Sequence, residues 1–244
     1  MSQQARKNSG EEPASITLQA GNQGIELLLI PAGSFLMGSQ PTEPGHRDAE
    51  SPVRRIKISK PFYIGRHEIT QGQYKAVIGI NPSRFIGDDL AVDQITHADA
   101  NEFCRKLSAL VGRKVTLPTE AQWECACRAG TTTRFYTGNM ETDLDRAAWS
   151  RRNSDESVHP VGTKEPNAFG LFDMLGNVWE HCLDVLPDYA TISDVDPVGT
   201  TDDEKGSMRG GGWMNDAEYC RAACGLRTSD MFGGAGIRIV INPE

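Results

Sequence analysis

The feature that most constrains the fold is how little of this chain has a regular hydrophobic period. Strand-like segments are short, as at residues 25–30 and 34–38, and long polar or glycine-rich stretches separate them. Long loops without structure of their own are uncommon in compact domains unless they are functional. The sequence therefore predicts an α+β fold of few short strands, with loops packed by their own aromatic side chains.

Two helices are better defined than the rest. Thr96 and Thr119 are followed three residues later by Asp99 and Gln122, which is the spacing of a capping box. Gly112 is placed to end the first helix, because glycine is favoured just after a helix C-terminus. The apolar residues of that helix fall on one face, at Phe103, Leu107, Leu110 and Val111. The α part of the fold is thus expected to rest on two main helices.

Turn residues between the short strands give weaker predictions. Residues 25–30 and 34–38 are separated by Pro31, Ala32 and Gly33, which predicts a β-hairpin. Thr70 is placed to cap a further short helix. Residues 131–163 show no clear period and are predicted to be mostly loop.

Length and patterning favour one domain. The chain has 244 residues, enough to bury a substantial core, and we find no internal repeat and no linker. The polar N-terminus is predicted to be a disordered tail over residues 1–20. Residues 21–244 are predicted to form a single domain.

Charge and hydropathy exclude several classes of function. The net charge of −8 disfavours nucleic-acid binding, which needs a basic face. The longest apolar run, residues 25–30, is too short to span a bilayer. No apolar segment of a secretory signal follows the N-terminal residues, so a cytoplasmic location is predicted.

The six cysteines show neither a CxxC motif nor zinc-ligand spacing with histidine. Reduced and mostly buried thiols are predicted, with one or two disulfides as the alternative for an exported protein. The five histidines also lack ligand spacing, and His67 and His181 are predicted to be structural.

Six motifs, in order along the chain, resemble those of the formylglycine-generating-enzyme (sulfatase-modifying-factor) domain family. They lie at residues 30–39, 63–74, 117–124, 166–180, 209–213 and 236–238. The resemblance implies a variant C-type lectin fold, α+β and loop-rich, in a single domain.

The resemblance implies less about catalysis. Enzymes of this family oxidise a substrate cysteine to formylglycine and hold copper with two cysteines of their own, five residues apart. The second aligns with Cys220, but the first aligns with Asn215. An amide oxygen is a hard ligand and does not replace a thiolate for Cu(I). Copper is therefore not expected, and the sequence leans away from an enzyme.

The same resemblance points to calcium. Asn177, Val178 and Glu180 look like the family's calcium site, with an amide oxygen, a backbone carbonyl and a carboxylate as donors. Hard oxygen donors of this kind suit Ca²⁺. The alternative is that Asn177 only bonds the local turn.

The C-terminus most resembles the variable proteins of diversity-generating retroelements, which share the lectin-type fold and occur in bacteria and phages. Their pattern of Arg-Gly-Gly, variable residues, Cys-Arg-Ala-Ala and further variable residues is similar to residues 209–233 here. The resemblance implies that residues 208–240 form a ligand-contact segment. Its predicted contact residues are Trp213, Met214, Asn215, Cys224, Gly225, Leu226, Thr228, Met231, Phe232 and Gly233.

This pattern predicts an exposed apolar patch that binds a protein or another macromolecular ligand. Trp213 and Phe232 are expected to be its anchors, and replacing either with alanine is expected to leave the melting temperature nearly unchanged. The alternative is that these side chains fill the core of a degenerate enzyme. The competing functions are a formylglycine-generating-enzyme-like oxidase and an inactive paralogue that acts as a scaffold.

Overall fold

A computed structural model describes residues 12–202, 205–227 and 235–243. Within these ranges the fold is α+β, as predicted, and it contains more elements than expected. The strands are β1 (Ser15–Ala20), β2 (Gln23–Ile30), β3 (Gly33–Met37), β4 (Arg54–Ile58), β5 (Phe62–Gly65), β6 (Trp179–Cys182), β7 (Asp184–Val185), β8 (Thr200–Thr201), β9 (Ser207–Arg209), β10 (Gly225–Arg227), β11 (Ala235–Gly236) and β12 (Val240–Ile241). The helices are α1 (Gln71–Ile78), α2 (His97–Val111), α3 (Glu120–Arg128) and α4 (Glu141–Ala147).

The first sheet brings the two ends of the described chain together. Its order is β1-β2-β5-β12, and all its pairs are antiparallel. Strand β1 lies within residues 1–20, so the predicted disordered tail is wrong for Ser15–Ala20, which pairs with β2. The predicted hairpin is also wrong, because β2 pairs with β1 and β5 while β3 pairs with β4. A turn signal does not by itself say which strands pair.

The second sheet positions the C-terminal segment. Its order is β10-β9-β6-β11, with β6 and β11 parallel and the other pairs antiparallel. Strand β10 is hydrogen-bonded within the sheet only to β9, so the C-terminal segment returns to the sheet at its edge.

The helix boundaries follow from local chemistry. Thr70, Thr96 and Thr119 each form a complete capping box. Gly112 ends α2 in the left-handed conformation, as predicted, whereas Ala129 takes that position after α3. Helix α4 was not predicted and lies inside the stretch expected to be loop. It is only 7 residues long, too short to show a hydrophobic period.

The first sheet contributes to two large core clusters. Helix α2 packs Phe103 and Leu107 with strand residues such as Leu27 and Tyr63. Helix α3 buries Trp123 and its two cysteines in a second cluster. All six cysteines are buried and free, as the sequence predicted. No helix among the described residues is long and apolar enough to cross a membrane.

Three buried arginines hold the loops to these elements. Arg209 pairs with Glu120 and Glu124, and Arg238 pairs with Glu180. Arg221 pairs with Glu50 and Glu43 on the loop that follows β3. The side chains of Arg209, Arg221 and Arg238 are fully buried. Burying a guanidinium is costly unless it is paired and hydrogen-bonded, so these contacts fix loop positions that lack regular structure.

Candidate ligand-contact surface

The C-terminal segment turns sharply after β9 and is pinned to the turn before β6. Gly210 and Gly211 have positive φ, and an added Cβ at Gly211 would meet the Cys220 sulfur at 2.6 Å. The Gly176 N–H donates to the Gly210 carbonyl at 2.8 Å, and the Trp213 N–H donates to the Asn177 carbonyl at 2.8 Å. The path of the backbone at the start of the segment is therefore fixed by nonlocal hydrogen bonds.

Trp213 is a core residue, which corrects the expectation that it is an exposed anchor. Only 9% of its surface is accessible. Its ring packs against Val158 and Val178 and makes an edge-to-face contact with Phe85, with centroids 5.7 Å apart. The turn directs this indole inward, below the surface that its neighbours form.

Met214 and Asn215 follow Trp213 on the outside of the turn. Met214 is exposed and Asn215 is half-buried. The Asn215 Oδ1 accepts a hydrogen bond from the Trp179 indole N–H at 2.8 Å. The Arg151 guanidinium donates to the Met214 carbonyl at 2.9 Å. Met214 is thus available to a ligand, while part of Asn215 is occupied in orienting Trp179.

The second stretch of predicted contact residues begins at Cys224. Cys224 is fully buried, so its predicted exposure is wrong; it packs with Trp179 and Met208. Gly225 and Leu226 are half-buried on the edge strand β10, where Leu226 packs against this cluster beside a cavity of about 90 Å³. The other predicted contact residues, Thr228, Met231, Phe232 and Gly233, lie outside the described residues.

Trp179 connects the two stretches. Its indole N–H bonds Asn215, and its ring lies in the cluster that supports Leu226. The structure therefore brings Met214, Asn215, Gly225 and Leu226 around one buried tryptophan. We call these four residues the contact surface.

A loop that the sequence did not single out borders this surface. An added Cβ at Gly45 would lie 2.7 Å from the Cβ of Glu218. Arg47 places its guanidinium over the Tyr219 ring, 4.8 Å from the centroid. Ala49 lines the same cavity as Gly225 and Leu226. The polar composition of residues 40–51 was the available signal, since loops held by a scaffold often carry function.

A family model described as the sulfatase-modifying factor enzyme 1-like domain matches residues 13–243. The chain belongs to this family. Among relatives, the chaperone protein LppX of Paenibacillus barcinonensis is 28% identical over 67% of this chain and 73% of its own length. The formylglycine-generating enzyme of Thermomonospora curvata is 25% identical over 80% of this chain and 84% of its own length.

A solved structure supports the same assignment. Variable protein 1 of Treponema denticola superposes with a TM-score of 0.85 and 26% identity, covering 95% of this chain and all of that protein. The variant C-type lectin fold that the motifs predicted is confirmed. Membership of the sulfatase-modifying factor family does not by itself assign an activity, because function depends on the site rather than the fold.

The sequence expectation that copper is not bound concerns two positions, Asn215 and Cys220. Asn215 stands at the first cysteine position, and its amide oxygen is bonded to Trp179. Burial raises the pKa of Cys220 to about 12. The thiolate is the form that binds metals, so burial disfavours Cys220 as a ligand.

The two side-chain ligands of the predicted calcium site, Asn177 and Glu180, do not fit that role in this chain. Both oxygens of Glu180 accept hydrogen bonds from Arg238, and one also accepts from the Trp123 indole. Asn177 Oδ1 accepts from the His159 N–H at 2.9 Å. The oxygen donors on both side chains are therefore already committed to protein donors, and the arrangement braces the fold.

His181 supports a prediction about pH. Burial lowers its pKa to about 4, and its Nε2 lies 3.1 Å from the Ile95 carbonyl. The unfolded chain, with an ordinary pKa of 6.5, binds the proton first as the pH falls. The stability linked to neutral His181 is therefore complete above about pH 6.5 and is lost as the pH falls towards 4.

We expect the His181→Gln variant to lose less stability than wild type between pH 7 and pH 5, by about 2 kcal/mol. Glutamine keeps a donor for the Ile95 carbonyl but does not titrate. Denaturant unfolding of both proteins at pH 7, 6 and 5 measures the difference. Parallel losses in the two proteins would show that His181 is not the titrating group.

Proposed function

We propose that this chain is a ligand-binding protein that presents a diversified C-terminal contact surface on a C-type-lectin-type scaffold, as variable proteins of diversity-generating retroelements do. The observation that carries the proposal is that buried and exposed residues alternate within the C-terminal segment. Arg209, Cys220 and Arg221 are buried in the scaffold, whereas Met214 is exposed and Asn215, Gly225 and Leu226 are half-buried. The side chains of Met214 and Leu226 can vary with least effect on the framework, because Asn215 bonds Trp179 and a Cβ at Gly225 would lie 3.0 Å from the Arg209 Nε.

The likeness to Treponema denticola variable protein 1 supports this proposal, since it extends over 95% of the chain. The ligand would be a protein or another macromolecule rather than a small molecule. The cavity beside Gly225 and Leu226 is only about 90 Å³, well below the usual size of a small-molecule pocket. A macromolecule would instead gain affinity from several outer side chains together.

The genetic test is direct. DNA near the gene should contain a near-copy of the stretch that encodes residues 208–240, differing at adenines, together with a reverse-transcriptase gene. The differing codons should include those of Met214, Gly225 and Leu226, and should spare those of the buried Arg209 and Arg221. A genome with no such repeat would refute the retroelement origin.

A second test examines the tolerance of the surface. We expect a library randomised at Met214 and Leu226 to yield mostly folded protein, because these side chains are not fully buried. The matched control library randomises Ala223 and Cys224, which are buried in the same segment. Thermal melting of random clones from each library measures the contrast, and equal losses in both would contradict the proposed surface.

A catalytically inactive family member that acts as a scaffold is the second candidate. Asn215 at the first copper-ligand position and the buried Cys220 favour it over an oxidase. Incubation with Cu(I) and a peptide containing the sulfatase cysteine motif separates oxidase from non-oxidase. Stoichiometric copper binding with formylglycine formation would establish an oxidase and exclude both non-catalytic candidates.

A further inference from the structure

The loop after α1 meets the C-terminal segment at Trp213. Phe85 touches the Trp213 ring edge-on, and Leu90 and Val161 pack against the same buried cluster. Ile86 follows Phe85 directly and is 75% exposed, and Met214 follows Trp213 and is 45% exposed. Single exposed apolar residues are ordinary, but Ile86 and Met214 each follow a member of the Phe85–Trp213 ring contact, and Leu90 and Val161 pack on the same cluster. We call Phe85, Ile86, Leu90, Val161 and Met214 the apolar patch.

Two arginines border the apolar patch. Arg84 lays its guanidinium over the Phe85 ring, 5.1 Å from the centroid. Within the described ranges its side chain forms no ion pair, and only its backbone N–H bonds Asp93. Arg151 bonds the Met214 carbonyl and makes an exposed pair with Asp216. An apolar centre with arginines at its border has the composition of a protein interface.

The loop that carries Ile86 is held in place before any ligand arrives. The side chain of Gln71, buried in α1, donates to the Phe85 carbonyl at 2.8 Å and accepts from the Gly87 N–H at 3.1 Å. Asn81 donates to the same Gln71 oxygen at 2.8 Å. A preordered loop loses little conformational entropy on binding, which favours its use in recognition.

We propose that the apolar patch, of which only Met214 belongs to the variable C-terminal segment, extends the ligand-contact surface, and that it takes an apolar side chain of a protein ligand with a carboxylate beside it. This inference rests on the proposed function. Ile86 and Met214 would contact the apolar side chain, and Arg84 would pair with the carboxylate. The net charge of −8 repels acidic ligands over most of the protein. Arg84 forms no ion pair within the described ranges, although its charge acts on the buried Asp93 carboxylate, and it gives such a ligand a local site.

The test begins with a phage-displayed library of random dodecapeptides, selected on the full chain. The selected peptides are then measured against Ile86→Asp, Arg84→Glu and Met214→Asp. Leu110→Asp on α2 is the matched control for Ile86, because Leu110 is 59% exposed and far along the chain from the apolar patch. Arg105→Glu on the exposed face of α2 is the control for Arg84. Thermal melting confirms that each variant is folded.

We expect the selected peptides to combine an apolar residue with Asp or Glu, and to bind Ile86→Asp and Arg84→Glu at least tenfold more weakly than wild type. Binding to Leu110→Asp and Arg105→Glu should be unchanged. Loss with Met214→Asp alone would overturn this inference and leave the proposed function standing. Unchanged binding to all three patch variants would count against both. Peptides enriched in Lys or Arg would overturn the assigned carboxylate.

Discussion

Replacing Arg209 with methionine is expected to lower the free energy of unfolding by about 3–5 kcal/mol. The Arg209 side chain is fully buried and donates to Glu120 at 2.9 Å and to Glu124 at 3.1 Å. Glu124 keeps a second partner in Arg128, whereas the Leu186 N–H is the one other donor to the Glu120 carboxylate among the described residues. Methionine fills similar space but leaves the Glu120 carboxylate buried without a cation, which is the costly outcome for a broken buried pair.

Replacing Arg209 should also destabilise the C-terminal segment locally. The Arg209 guanidinium donates to the carbonyls of Ala222 and Ala223 and to the Tyr189 hydroxyl. Without these donors the backbone leading to β10 loses its attachment to α3. We therefore expect amide hydrogen exchange in the variant to be faster than in wild type at Cys224–Leu226, and to change less at β5 in the same sample.

Chemical denaturation at pH 7 measures the global effect, and Arg105→Met is its matched control. Arg105 pairs with Glu102 on the surface of α2, where water screens both charges. Its replacement should leave the unfolding midpoint close to that of wild type. If the two variants lost equal stability, the buried network would not be what holds the segment.

The sequence predicts well those features that depend on residues close together in the chain. Each capping box joins residues three apart, so Thr70, Thr96 and Thr119 correctly mark three helix starts. The family motifs then supply the fold, because they occur in the family's order from residue 30 to residue 238. Strand pairing could not be predicted from local sequence signals or from the motifs. The choice of β5 rather than β3 as the partner of β2 depends on packing between distant segments.

The site was predictable only in part, for the same reason. Glu180 has the chemistry of a calcium ligand, but Arg238, 58 residues further on, takes both of its oxygens. Cys224 lies at a position that the resemblance marked as variable, yet Trp179 and Met208 enclose it. Met214 is 45% exposed in the described part of the chain, which agrees with the local pattern.

Replacing Trp213 with alanine is expected to cost about 3–5 kcal/mol of unfolding free energy, the usual range for a buried aromatic residue. The indole fills the space between Ala91, Val158 and Val178 and contacts Phe85 edge-on. Alanine would leave a cavity that the surrounding strands and turns can only partly close. This expectation reverses the one drawn from sequence, in which Trp213 was an exposed anchor. Thermal and denaturant unfolding of the variant decide between them.

Met214→Ala is the control for Trp213→Ala, because the two residues are adjacent and lie on opposite sides of the same turn. Its stability should stay within about 0.5 kcal/mol of wild type. The selected peptides should nevertheless bind Met214→Ala more weakly, since the exposed thioether is removed from the contact surface. In the folded fraction of Trp213→Ala, binding should fall as well, because Phe85 loses the ring that it packs against edge-on. A Trp213→Ala protein as stable as wild type would mean that the indole faces the ligand, and the contact surface would then extend inward to include it.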